Sequence, residues 1–138
     1  MAYRGQPVPS TVVNISQVKI SDGKSVDVVI PSGTGVEAGK FYIFSGFFGL
    51  VLKTIPAASN TAGETVALQI ENCEYITDQI DTAKTFALGS ELYYNATTGK
   101  FTDTSATGLF LVGRVSAAKD ANNVIQFIKY PQIITVGE

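Results

Sequence analysis

Phe41 to Leu52 reads FYIFSGFFGLVL, the longest apolar run in the chain, and its composition argues against a helix. Aromatic and β-branched residues dominate it, and these suit a pleated, half-buried surface. Gly46 and Gly49 interrupt it; glycine inside a strand marks a bulge or a close approach of backbone. The run is read as two short strands, or one sharply bent strand, closing a barrel. A buried helix is the alternative.

The same texture extends in both directions. Upstream, the turn Gly39-Lys40 follows the breaker Pro31-Ser32-Gly33. Before that breaker, Ser25 to Ile30 (SVDVVI) is β-branched, and it is preceded by the turn Ser21-Asp22-Gly23-Lys24. Val12, Val13, Ile15, Val18 and Ile20 continue the strand-like pattern. Downstream, Ile55 to Gly63 (IPAASNTAG) reads as a loop. Glu64 to Cys73 alternates, with Val66, Leu68 and Ile70 on one face, as in a half-buried strand. Thr77 to Thr85 (TDQIDTAKT) is the best place for a short helix or turn.

Leu88 to Thr102 (LGSELYYNATTGKFT) reads as a β-hairpin. Leu92 and Tyr94 share one face, Tyr93 takes the other, and Asn95 to Gly99 forms the loop. Gly108 to Ala117 is a strand interrupted at Gly113, and Val124 to Tyr130 is another, stopped by Pro131. Ile133, Ile134 and Val136 could add an edge strand or pair with a neighbour. Short strands punctuated by regular turns predict an all-β fold, a small barrel or sandwich with at most one short helix. A single β domain over residues 12–138 is expected, preceded by an extended N-terminal arm, Met1 to Thr11. Pro7 and Pro9 hold Gln6-Pro7-Val8-Pro9 extended, because a residue before proline avoids the helical region.

Composition narrows the function. With 138 residues the chain can bury roughly 70% of the surface it exposes unfolded, enough for a core without disulfides or metal. Charged residues are only 16% against 45% hydrophobic, which suggests either a surface of short polar side chains or apolar surface covered by partners. A net charge of −2 and ten scattered cationic residues argue against nucleic acid. No apolar stretch approaches the ~20 residues that span a bilayer. The start, MAYRGQPVPS, lacks the apolar segment of a signal peptide, so synthesis in a cytoplasm and a soluble product are expected.

Chemistry is hard to place. The chain contains no histidine, which removes Ser–His and Cys–His catalysis and zinc sites built on His and Cys. Cys73 is the single cysteine and reads as a buried, inert thiol. Gly33 to Lys40 (GTGVEAGK) fails as a phosphate loop: the glycine spacing is wrong, Phe41 stands where Ser or Thr is needed, and a strand follows. Glu71 with Glu74 and Asp78 with Asp81 are the candidate carboxylate pairs, and solvated surface charge accounts better for both. No catalytic, cofactor-binding or metal-binding residue is assigned.

Two blocks resemble the head-stabilising cement, or decoration, proteins of tailed phages. The first is Val36-Glu37-Ala38-Gly39-Lys40-Phe41 with Phe48-Gly49-Leu50-Val51; the second is Ala87-Leu88-Gly89-Ser90-Glu91-Leu92-Tyr93-Tyr94 with Thr98-Gly99-Lys100-Phe101-Thr102. The likeness runs from about Val36 to Tyr130 and rests on order and spacing. Lys40 stands where family members often have Asp after the turn glycine, and Glu91 replaces Asp or Asn at the hairpin start; both concern turn preference only. The resemblance implies a β-tulip-like domain, assembly as a homotrimer, and binding to the major capsid protein on the outer surface of the mature head. It also implies an arm that supplements a coat-protein strand, for which Gln6, Pro7, Val8, Pro9, Ser10 and Thr11 are the candidates. No cofactor, membrane, nucleic acid or small-molecule substrate is implied, and the product belongs to the virion after synthesis in the host cytoplasm. Another virion component (tail or fibre), or a carbohydrate-binding module using exposed tyrosines, is the alternative.

Overall fold

The computed structural model describes residues 19–137, and the arm residues Met1 to Thr11 lie outside them, as do Val12 to Val18. Nine strands make up the described fold: β1 (Ser25–Ile30), β2 (Lys40–Phe44), β3 (Phe47–Val51), β4 (Glu64–Gln69), β5 (Glu74–Thr77), β6 (Glu91–Asn95), β7 (Lys100–Thr102), β8 (Phe110–Ala117) and β9 (Ile125–Thr135). One sheet has the order β1-β4-β3-β2 and the other β5-β9-β8-β6-β7. All pairings between these strands are antiparallel. The architecture is the all-β one expected from sequence, a sandwich of two sheets with one sheet curled into a half-barrel.

The run from Phe41 to Leu52 is two strands, β2 and β3, joined by the two-residue turn Ser45-Gly46. Both turn residues have positive φ, 53° and 83°, the twist that a tight hairpin needs. Gly46 thus serves the turn and not a bulge. Gly49 marks a close backbone approach: a Cβ there would collide with the carbonyl oxygen of Gln69 on β4.

This hairpin explains why the run is apolar throughout instead of alternating. Phe41 pairs with Leu50 and Ile43 with Phe48 on one face, which packs into the larger core with Tyr75, Leu92, Tyr94, Phe101 and Phe127. The opposite face carries Tyr42, Phe44 and Val51 into a second core under the curled sheet, with Val28, Ile30, Val36, Ile55, Val66 and Leu68. A strand buried on both faces reads as a continuous hydrophobic run. The Phe41 ring lies 5.2–5.5 Å from those of Phe48, Tyr75, Phe101 and Phe127, at the hub of the aromatic cluster.

Three local readings are sharpened or corrected by the structure. Of the two readings of Thr77 to Thr85, short helix or turn, the structure has the turn, after the end of β5. Its backbone is taken by the edge of β7, since Phe101 N–H donates to Gln79 and Asp81 N–H donates to Phe101, each at 2.9 Å. Ile80 is fully buried there. The one helical turn among the described residues is the 3-10 segment Ala57–Ser59, inside the predicted loop. Nor does Pro131 end the last strand. One residue of β8, Val112, stands against four of β9, Tyr130 to Ile133, because Leu111 pairs with Ile134 and Gly113 with Lys129. Proline inside this bulge needs no ladder hydrogen bond, so β9 resumes and Ile134 and Thr135 pair with β8.

Phe48 is 2% exposed, and replacing it with Ala should cost about 3–5 kcal/mol in denaturant unfolding. Gly49→Ala should also destabilise, by about 1–3 kcal/mol, since β4 must shift to admit the methyl. A near-neutral Phe48→Ala would mean that the ring is not core.

Candidate interaction surfaces

The residues singled out in sequence fall into three groups. Gln6, Pro7, Val8, Pro9, Ser10 and Thr11 lie outside the described residues. The carboxylate pairs are not brought together as pairs. Glu71 faces Lys24 at 3.4 Å, and Glu74 accepts a hydrogen bond from Ser116. Asp78 pairs with Lys40 at 3.0 Å, and Asp81 accepts from the Ala83 N–H within its own turn. The hydrogen bond and charge of Lys40 hold the Asp78 carboxyl below the ordinary aspartate value. Cys73 is free and half-buried, less enclosed than expected. Among the described residues no group of three or more His, Cys, Asp and Glu could hold a metal ion, and no helix is long and apolar enough to cross a membrane.

What the fold builds with its polar groups is a seal. The outer edge of β2 presents the Phe41 backbone, and the Gln79 amide closes it as a neighbouring strand would. Phe41 N–H donates to Gln79 Oε1 at 2.7 Å, and Gln79 Nε2 donates to Phe41 O at 2.9 Å and to Gly99 O at 2.6 Å. Tyr94 Oη–H adds a second donor to Phe41 O at 2.9 Å, across the larger core. Burial, with Tyr42 nearby, pushes the Tyr94 phenol up to about 12. Tyr75, whose hydroxyl donates to Glu71 O at 2.7 Å, is also raised by burial and by Cys73.

The outer edge of β1 has no such partner among the described residues. Ile70 N–H donates to Lys24 O, so bonding toward β4 falls at alternate residues of β1. Ser25, Asp27 and Val29 therefore turn their backbone groups away from the sheet. No hydrogen bond within the described residues takes these groups up.

The smaller sheet also exposes apolar side chains. Val29 is 58% exposed and Leu52 67%. Leu52 lines a shallow groove of about 610 Å³ over β4 with Ala67, Gln69 and the charged rim Lys24, Lys53 and Glu71. The larger sheet has its own apolar spot: Ile76 and Ile128 are exposed diagonal neighbours, since Ile76 pairs with Gln126 and Glu74 with Ile128. Sequence reasoning missed these positions. Val29 carried a signal, as it breaks the alternation of SVDVVI; Ile76 lay in a strand left unassigned.

The fold and its surfaces define a compact antiparallel β module with a polar-sealed β2 edge, a β1 edge unpaired among the described residues, and exposed apolar spots, features that suit binding to other proteins. Comparison with known proteins agrees. A model of the phage cement protein family matches residues 20–130, and the chain belongs to that family. It is thus a capsid-associated structural protein of a bacteriophage virion. The match begins well before Val36, so β1 is part of the family pattern. No curated protein and no solved structure matches the chain significantly.

Tyr75 and Tyr94 hold their protons more tightly folded than unfolded. Their contribution is complete below the unfolded value of 10.0 and is lost as pH rises from there toward about 12. Thermal melts should therefore fall steeply above pH ~10. Tyrosinate absorbance from two of the phenols should appear only together with unfolding.

Proposed function

We propose that the protein decorates the outer surface of the mature phage head, binding the major capsid protein as a homotrimer and stabilising the lattice without chemistry. The family match over residues 20–130 carries this reading. Its physical basis is mass action: a ligand that binds only the mature lattice stabilises it by about 2.7 kcal/mol per site at a hundredfold excess over Kd. Repeated over a shell, that increment opposes the pressure of packaged DNA. A β-tulip-like trimer supplies three attachments at once, so avidity adds to the affinity of each copy.

The surfaces support this reading. Exposed apolar side chains on separate sheets, Leu52 at the groove over β4 and Ile76 with Ile128 on the larger sheet, suit one contact with the shell and another between copies. The arm, Met1 to Thr11, is proposed as a further attachment, in which Gln6 to Thr11 adds to an exposed sheet edge of the coat protein through backbone hydrogen bonds. Residues 12–138 then act as one β domain. We assign no catalytic role to any residue. The carbohydrate-binding alternative draws no support from the aromatic side chains, because none of the five described tyrosines is exposed.

Purified protein mixed with undecorated expanded heads should co-sediment stoichiometrically and raise their melting temperature. Failure to bind mature heads overturns the reading. Deleting Met1 to Thr11 should weaken head binding far more than it lowers the melting temperature of the free protein. If both fall together, the segment belongs to the fold.

A further inference from the structure

A cleft of about 390 Å³ opens between the tip of the β2–β3 hairpin and the Pro131 bulge of β9. Phe47, Ile70, Asn72, Lys129, Gln132 and Ile133 help to line it. Lys129 is the unusual member. It lies on the inward face of β9 directly after Phe127 in the alternation, and only 4% of it is exposed. Its Nζ donates to Tyr130 O at 3.1 Å and, weakly, to Asn72 Oδ1 at 3.5 Å. An ammonium has three protons and needs a counter-charge when buried.

None of the described carboxylates supplies that charge. The four ion pairs among the described residues are Lys19–Asp22, Lys24–Glu71, Lys40–Asp78 and Lys53–Glu64. Glu71, close in sequence to Asn72, is thus engaged elsewhere. Residues 1–18 contain neither Asp nor Glu. Gly137, the last described residue, accepts from Thr107 before the start of β8, whereas Lys129 pairs with Gly113 within that strand. Burial also disfavours the charged form of Lys129 and lowers its pKa, with Cys73 acting in the opposite sense. A cation held in this way serves the isolated fold poorly.

We propose that the Lys129 cleft receives an acidic side chain, Asp or Glu, of the protein surface on which this chain sits. The lining matches such a group: Phe47, Ile70 and Ile133 suit the methylene stem, while Lys129, Asn72 and Gln132 offer donors to the carboxylate. Phe47, 42% exposed at the hairpin tip, would be covered in the same event. The proposal rests on the capsid-binding reading for its partner, and names the chemistry of one contact within it.

The test compares wild type with Lys129→Met, which keeps the length and removes the charge. The variant should melt at or above the wild-type temperature, because an unpaired buried charge has been removed. It should bind undecorated expanded heads about tenfold or more weakly. A clearly lower melting temperature overturns the proposal, since the ammonium would then serve the fold. Equal binding by both proteins also overturns it while leaving the capsid reading intact. If wild type itself fails to bind heads, the capsid reading is what has failed, and the cleft is judged on the free protein. There, N-acetylglutamate amide is titrated against the Lys129 and Asn72 side-chain NMR signals at constant ionic strength. A saturable shift absent in Lys129→Met supports a carboxylate site, then one for a free small acid, and its absence overturns the site altogether.

Discussion

The β2–β3 hairpin is a wall shared by two cores, and most of the fold follows from what such a wall requires. Both faces must be apolar, because Phe41 and Phe48 point into the larger core while Tyr42 and Val51 point into the smaller. Its backbone must also be satisfied where no strand adjoins it. β2 has β3 on one side only, and its other edge runs beside the aromatic cluster, where unpaired amide groups would be costly. Gln79 and Tyr94 meet that need together. The segment Thr77 to Asp81 is therefore extended and pinned, and β7 is held beside it through Phe101.

The same constraint explains which parts of the fold were legible in sequence. Alternation revealed β4 and the β6–β7 hairpin, because Val66, Leu68, Leu92 and Tyr94 face a core while their neighbours face outward. The open question over Phe41 to Leu52 resolves into two strands once Ser45-Gly46 is seen as a turn of positive φ. Thr77 to Thr85 left helix and turn open because its decisive feature is one glutamine side chain satisfying a backbone distant in sequence. Local propensity contains no record of that partner. Pro131 misled for a related reason: proline is excluded from a regular ladder, but the register of β8 against β9 admits a four-residue bulge, and register is a property of the pair.

The surfaces were less legible than the core. An exposed isoleucine in a strand looks the same in sequence as a buried one until its face is known, so Ile76 and Ile128 carried no warning. Lys129 carried a signal that went unused: alternation in VIQFIKY puts it in phase with Ile125 and Phe127, and it falls on the inward side with them. Low overall charge was the one compositional hint, and it could not say where partners would bind. Of the 12 acidic and ten basic residues, several are engaged in ion pairs or turn hydrogen bonds, as at Lys40–Asp78 and Asp81, so part of an already small complement serves the fold.

A capsid-associated structural protein needs rigidity inside and adhesion outside, and the two demands act on different strands here. Strand edges are the adhesive part of any β protein, because unpaired amide groups accept a further strand without regard to its side chains. Leaving β2 open beside the hydrophobic wall would put the core itself at risk of mispairing. On β1 the backbone groups left unpaired among the described residues are those of Ser25, Asp27 and Val29, and Asp27 supplies an exposed charge of the kind that discourages indiscriminate pairing. Among the described residues, the sealed edge of β2 and the unpaired outward groups of β1 thus fall on different strands of one sheet. That separation allows the exposed groups to contribute to attachment without weakening the aromatic core on which every strand of the sandwich depends.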